Sequence, residues 1–222
     1  MSRFFPEPSH LELHPGVTSK LFDIRDEKDT KIMISTLEPG AVVPRHSHNE
    51  IQFGMVLEGS MEVEVGGHRR ILEARKNGYV ATSNVEHSAI NKSGQVIKTV
   101  DFKIDCNDVD EQFLSILELT PSKTLKSGIE FKFFVTPWFE IMLSTIPKGG
   151  LMPSHKHENI QFGIAVDGSY QMRVGEEERD FEFGDVYYSP EHTRHSGFNP
   201  HDKTAFSLNI FVPPRYNKHQ SK

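Results

Sequence analysis

Residues 32–66 of this chain recur without a gap 109 positions later, and sixteen of the thirty-five pairs are identical. The matches include Ile32-Met33 with Ile141-Met142, Pro44 with Pro153, His46 and His48 with His155 and His157, and Ile51-Gln52-Phe53-Gly54 with Ile160-Gln161-Phe162-Gly163. A slightly shorter offset then lays His87 and Asn91 on His195 and Asn199. Such a chain is two copies of one folding unit, which settles a domain count that 222 residues alone leave open. The expected division is a first unit at 1–104, a linker at 105–122 and a second unit at 123–222.

Each copy reads as β structure. Short apolar or alternating runs such as Lys31-Ile32-Met33-Ile34, Met61-Glu62-Val63-Glu64-Val65 and Glu140-Ile141-Met142-Leu143 are punctuated by glycine-bearing turns. Many short strands at regular spacing indicate an all-β sandwich or barrel. One helix is expected, from Asp108 to Leu119, because Val109, Phe113, Ile116 and Leu117 fall on one face and acidic residues occupy its first turn. It would bridge the two units. The segments before Leu21 and after Pro214 lack strong periodicity and read as arms or added strands.

Composition narrows the partners. The net charge is −6 and the basic residues are scattered, so no stripe exists to neutralise nucleic-acid phosphates or an anionic membrane surface. The single cysteine, Cys106, excludes an intrachain disulfide, and the opening residues carry no apolar signal or spanning segment. A cytoplasmic location is the expectation. The twelve histidines are the unusual feature, since histidine is the commonest metal-ligating side chain.

Alternate side chains of a strand share a face, so His46 and His48, like His155 and His157, can clamp one ion. A straight strand from His46 to Gln52 would span about 20 Å at roughly 3.3 Å per residue, so the chain must bend for Gln52 to face the histidines. Asn49-Glu50 and Glu158-Asn159 supply turn-compatible residues there, and Gln52 and Gln161 return on the next strand. His87 and His195 are the remaining duplicated histidines and supply the distant ligand. A lone His-x-His is usually a pair of solvated side chains. Two copies that keep three histidines and a glutamine, while Ser47 and Lys156 between them differ, favour one divalent transition metal per unit. Imidazole and amide ligands accept Fe, Co, Ni, Mn, Cu or Zn, with Fe or Co favoured.

Gly40-x5-His46-x-His48-x3-Gln52-x6-Gly59 and Gly149-x5-His155-x-His157-x3-Gln161-x6-Gly168 resemble the first motif of the cupins, with glutamine in place of the usual glutamate. Gly184-x5-Pro190-x4-His195-x3-Asn199 resembles the second, with His192 at its inner glycine. The first copy departs further: its motif runs from Gly78 to His87, two residues short, with Asn84 in place of the proline. The resemblance implies two tandem cupin, or jelly-roll, barrels. Phe133-Phe134-Val135, Trp138, Ile146-Pro147, Asn209-Ile210-Phe211 and Pro213-Pro214-Arg215 are similar to the family of bicupin isomerases of bacilysin biosynthesis. That likeness implies a step of antibiotic biosynthesis. The reaction that the resemblance implies moves a ring double bond of a dihydro-4-hydroxyphenylpyruvate into conjugation with its 2-oxo acid side chain.

Neutral ligands leave a bound divalent ion its full charge, which suits polarising a 2-oxo acid chelated through carboxylate and keto oxygens. Moving the double bond also needs an acid/base group, for which His192, Glu140 and Tyr188 are the candidates. Trp138, Phe162, Tyr170 and Tyr187 are candidate walls for the ring, although aromatics fill jelly rolls regardless of function. Arg215 is the candidate carboxylate partner. The second site is favoured for the chemistry because its motif is more complete. Two other readings use the same ligands: an iron-dependent dioxygenase and a non-enzymatic metal-dependent binding protein. A homodimer is compatible with jelly-roll edges, though no residue demonstrates one.

Overall fold

The computed structural model describes residues 2–25, 29–105 and 116–215. It divides the chain into two compact units, residues 7–119 and residues 120–215 joined by residues 2–6. The first contains β1 (Ser9–His14), β2 (Val17–Ile24), β3 (Thr30–Leu37), β4 (Val42–His46), β5 (Ile51–Glu58), β6 (Ser60–Val65), β7 (His68–Glu73), β8 (Asn77–Ala81), β9 (His87–Ile90), β10 (Ile97–Ile104) and β11 (Ile116–Glu118). The second contains β12 (Thr120–Thr124), β13 (Glu130–Val135), β14 (Glu140–Ile146), β15 (Leu151–His155), β16 (Ile160–Asp167), β17 (Ser169–Val174), β18 (Glu177–Glu182), β19 (Val186–Ser189), β20 (His195–Phe198) and β21 (Ala205–Val212).

The repeat in sequence is a repeat in topology. The first unit has sheets ordered β1-β2-β3-β10-β5-β8-β11 and β4-β9-β6-β7; the second has β12-β13-β14-β21-β16-β19 and β15-β20-β17-β18. All pairings are antiparallel. In the smaller sheets β6 and β17 alternate: every second residue along Ser60–Val65 and Ser169–Val174 is buried and those between are half-buried or exposed. β5 and β16 are buried throughout up to their last residue, as interior strands of the larger sheets with a paired neighbour on each side. Between the sheets sit the two cores. Val17, Leu37, Val56, Met61, Val63, Val65, Leu72 and Ile97 fill the first, and Ile129, Met142, Ala165, Tyr170, Met172, Val174 and Phe181 belong to the second.

The start of the chain serves the second unit. Ser2 Oγ donates to Glu177 Oε2 at 2.5 Å, and Phe5, 2% exposed, joins that unit's core against Phe181 at 6.1 Å. The main chain of β19 is anchored there too, as Tyr188 N donates to Phe4 O at 2.8 Å. The expected helix at 108–119 is only partly testable. Residues 108–115 lie outside the described residues, and its last turn is instead β11, paired with β8 through Ile116–Tyr79 and Leu117–Gly78. An amphipathic pattern of three or four residues cannot distinguish a helix end from an edge strand that satisfies a neighbour's free backbone.

Candidate metal centres

β4 ends at His46 and the chain turns over Asn49-Glu50 before β5 begins at Ile51, which brings Gln52 back beside the histidines. β9 pairs with β4 so that His87 stands opposite His46, and in the second unit His195 stands opposite His155. The ligand-type atoms of His46, His48 and His87 all lie within 4.8 Å of one another, as do those of His155, His157 and His195. The two clusters nearly superimpose: ring centroids are 5.8, 4.3 and 5.0 Å apart in the first and 5.9, 4.3 and 5.0 Å in the second.

Both clusters are built to receive a cation. Nδ1 of His46, His87, His155 and His195 each donates to a backbone carbonyl two residues earlier, at 2.8 to 2.9 Å, which leaves Nε2 with its lone pair. Nε2 of His87 and of His195 is buried with no hydrogen-bond partner, as is Nδ1 of His157. An unsatisfied buried acceptor costs free energy, and a metal ion at the centre of the three rings would satisfy both Nε2 atoms. Burial also pulls the pKa values of His87 and His195 down to about 4, and lowers those of His48 and His157, so the rings stay neutral near pH 7.

The glutamine is oriented from behind. Gln52 Nε2 donates to the Tyr79 hydroxyl and, at 2.7 Å, to Asp101 Oδ1; Tyr79 in turn donates to the same carboxylate at 2.8 Å. With both amide hydrogens so engaged, Oε1 faces the cluster, 2.9 Å from His48 Nε2. Gln161 repeats this with Tyr187 and Asn209, its Oε1 2.9 Å from His157 Nε2. The shared glycine of Gln-Phe-Gly belongs to this device, since a Cβ on Gly54 or Gly163 would overlap the ring of Tyr79 or Tyr187. Sequence reading missed Tyr79, Asp101 and Asn209, although the repeated Gln-Phe-Gly was their signal.

The second motif aligns differently than its spacing suggests. Gly184 N donates to Ala165 O, and Arg75 N donates to the corresponding Val56 O, so Arg75 with φ +60° is the counterpart of Gly184. Gly78 pairs with Met55 as Val186 pairs with Ile164. Asn84 N donates to His48 O at 2.8 Å and His192 N to His157 O at 2.7 Å, both with positive φ. Asn84 therefore stands at the inner-glycine position rather than at the proline, and the first motif is one residue longer than the second, not two shorter. His192 is exposed and serves that turn.

A cavity of about 300 Å³ opens over His155, Gln161 and His195, walled by Phe131, Phe133, Met142, Tyr170, Met172, Tyr187 and Phe211, with Arg215 and Lys123 at its polar edge. Of the expected site residues, Tyr187 and Arg215 line it, the former with its hydroxyl committed to Gln161 and Asn209. Phe162 and Tyr188 do not: they are opposite each other on β16 and β19, one residue out of phase with Gln161 and Tyr187, and stack at 5.5 Å on the other face. Trp138 is buried in the turn that Thr136 caps before β14 and is not part of the wall. Glu140, 3% exposed, has both oxygens occupied by Arg215, whose N donates at 3.0 Å and Nη2 at 2.6 Å. It therefore fixes a cation instead of standing free as a base. Arg215 also lies over the Phe211 ring, 3.3 Å from its centroid.

Two jelly-roll units, each with three histidines and a glutamine converging at one end of the barrel, define a bicupin. The chain belongs to the cupin family, whose domain matches residues 33–102 and 142–211. It is 36% identical over 99% of its length to H2HPP isomerase of Bacillus subtilis, covering 93% of that protein, and is an enzyme of the isomerase class. Among solved structures it is similar to AerE from Microcystis aeruginosa, with a TM-score of 0.87 and 27% identity across 95% of this chain and 99% of that one. Oxalate decarboxylase of Bacillus subtilis shares the fold, with a TM-score of 0.79 at 14% identity over 96% of this chain and 78% of that one. Each histidine cluster supports one divalent metal. Among the described residues no helix is long and apolar enough to cross a membrane.

Proposed function

We propose that the chain is a metal-dependent isomerase that shifts a ring double bond of a dihydro-4-hydroxyphenylpyruvate-like 2-oxo acid in antibiotic biosynthesis, and that the second barrel does this chemistry. The observation that carries the reading is the composition of the second cavity. It puts five aromatic walls and a fixed guanidinium around the open side of a three-histidine, one-glutamine cluster. The similarity to H2HPP isomerase supports the substrate class.

His155, His157, Gln161 and His195 would hold the metal, which supplies Lewis-acid polarisation of the 2-oxo acid. Arg215 is held half-buried by Glu140 and is the carboxylate anchor. Phe131, Phe133, Tyr170 and Phe211 enclose the ring and keep water from it. None of His192, Glu140 and Tyr188 faces this space. Of the two tyrosine hydroxyls in the wall, that of Tyr187 is tied to Gln161 and Asn209, while that of Tyr170 donates to Ser207 Oγ at 2.8 Å and has a pKa that burial pushes up, so it stays protonated. In this reading its hydroxyl returns a proton to the far end of the conjugated system and recovers, through Ser207, the proton released from the ring carbon, so that no net proton is gained or lost.

The test is incubation of the metal-loaded protein with the dihydro-hydroxyphenylpyruvate while ultraviolet absorbance and dissolved oxygen are followed. A shift to the absorbance of the conjugated product at constant oxygen, lost in His155→Ala, is the expected result. Oxygen consumption would place the chain among dioxygenases, and saturable uptake with no product would make it a binding protein.

A further inference from the structure

The first barrel has its own cavity, about 280 Å³, over His46, Gln52 and His87, close in size to the second but different in kind. Strand register makes the comparison position by position. Phe133 pairs with Met142 as Leu21 pairs with Met33, and Phe131 with Ser144 as Ser19 with Ser35. Tyr170 corresponds to Met61 in the repeat, and Phe211, opposite Gln161, corresponds to Lys103, opposite Gln52. Four of the five aromatic walls of the second cavity are thus serine, leucine, methionine and lysine in the first, and only Tyr187 keeps an aromatic counterpart, Tyr79.

The lysine matters most. Lys103 follows Asp101 by two residues on β10, so the two share the face that lines the cavity. Asp101 is committed to Tyr79 and Gln52, and Lys103 feels the Asp101 and Glu50 carboxylates through space without a close hydrogen bond or ion pair to a described residue. A cation on the wall of a largely apolar cavity, beside a neutral histidine cluster, is an arrangement for an anion with an apolar tail. Away from the cluster and from Tyr79, whose hydroxyl is tied to Gln52 and Asp101, the wall is mainly aliphatic, from Val17, Met33, Leu37, Val43 and Met61, and has far less ring surface than the second cavity.

We propose that the first barrel is a second ligand site that takes an aliphatic 2-oxo acid, its carboxylate on Lys103 and its alkyl tail among Met33, Val43 and Met61. This site is distinct in ligand from the aromatic one in the second barrel, so either proposal can fail while the other stands.

The probe is 4-methyl-2-oxopentanoate, titrated by calorimetry into the full-length metal-loaded protein. One equivalent bound is expected, weakened at least about tenfold in Lys103→Met, as loss of a charged hydrogen bond implies. Lys103→Arg should stay within about threefold of wild type, and Arg215→Met should bind the probe as wild type does, since its guanidinium serves the other cavity. The proposal is overturned if wild type does not bind, if Lys103→Met binds unchanged, or if Arg215→Met abolishes binding. Should Lys103→Met fail to fold, Met61→Tyr carries the test. It places the second barrel's aromatic in the tail pocket, and unchanged affinity there would equally overturn the assignment.

Discussion

Glu140 holds Arg215 by three groups at once, the backbone N at 3.0 Å, Nε at 3.2 Å and Nη2 at 2.6 Å, and so places a guanidinium at the edge of the second cavity. The carboxylate is 3% exposed and the arginine side chain 31%, so the pair is anchored on its buried side and open on the other. Removing the arginine should act on substrate binding. Arg215→Met is expected to raise KM for the 2-oxo acid about tenfold to a hundredfold with a smaller effect on kcat, the size of a lost charged hydrogen bond. Glu140→Gln, which keeps shape but loosens the guanidinium, should raise KM less. A drop in kcat alone for Glu140→Gln, with KM unchanged, would restore Glu140 as an acid/base group.

Gly163→Ala tests the device behind the glutamine. The new methyl overlaps the Tyr187 ring, which must move and take its hydroxyl from Gln161. Overpacking of this kind costs about 1–3 kcal/mol, or roughly 2–4 °C of Tm per kcal/mol in a chain of this size. Metal content of the second barrel should fall with it. Gly197→Ala is the control, because its Cβ meets nothing closer than 3.8 Å. Paired melting curves and elemental analysis decide it, and equal behaviour of the two variants would remove the packing argument.

The parts of this protein legible in sequence were those written locally and twice. His46, His48 and Gln52 lie within seven residues, and their recurrence at His155, His157 and Gln161 identified the cluster, with His87 and His195 the duplicated histidines left over. The wall was harder to read, because a two-residue period decides which aromatics face inward. Phe162 and Tyr188 are each one residue from an inward side chain, and without strand register nothing separates them from Tyr187. Arg75 hid its equivalence to Gly184 because a positive φ is usually advertised by glycine, and here it is not. Tyr170 was visible as an aromatic, but its place facing the cavity depends on β17 packing across from β14 and β21, a relationship no local pattern records.

Asp101 and Asn209 occupy the same position and accept the same amide hydrogen, yet one is a carboxyl group and the other is neutral. Burial raises the Asp101 pKa, while hydrogen bonds from Tyr79 and Gln52 favour its charged form. A carboxylate there polarises the Gln52 amide and adds negative potential behind the cluster, so the first barrel should hold a divalent ion more tightly than the second. Asp101→Asn is expected to weaken metal binding in the first barrel about tenfold to a hundredfold, the usual effect of altering a ligand's own partner. Competition with a chromogenic chelator reads this directly. If both barrels release metal together in wild type, the charge behind Gln52 has no effect on affinity.

Burial of the histidines also sets a pH window for the metal-free protein. His87 and His195 have folded pKa values of about 4 against an ordinary 6.5, so between those values the unfolded chain binds more protons than the folded one. The free energy of unfolding therefore rises with pH through that window, is fully restored above about 6.5 and is lost progressively toward 4. Asp101, raised by burial, works in the opposite sense from its ordinary 3.8 upward, so the Asp101→Asn background gives the cleaner profile. Chelator-treated protein of that background should melt several degrees lower at pH 4.5 than at pH 7. Replacing His87 and His195 with glutamine should flatten the slope, because the variant keeps a polar side chain but no longer titrates in this range. A smaller residual slope is expected from His48 and His157, which burial also lowers, and a slope that is unchanged by both replacements would assign the pH dependence to groups other than His87 and His195.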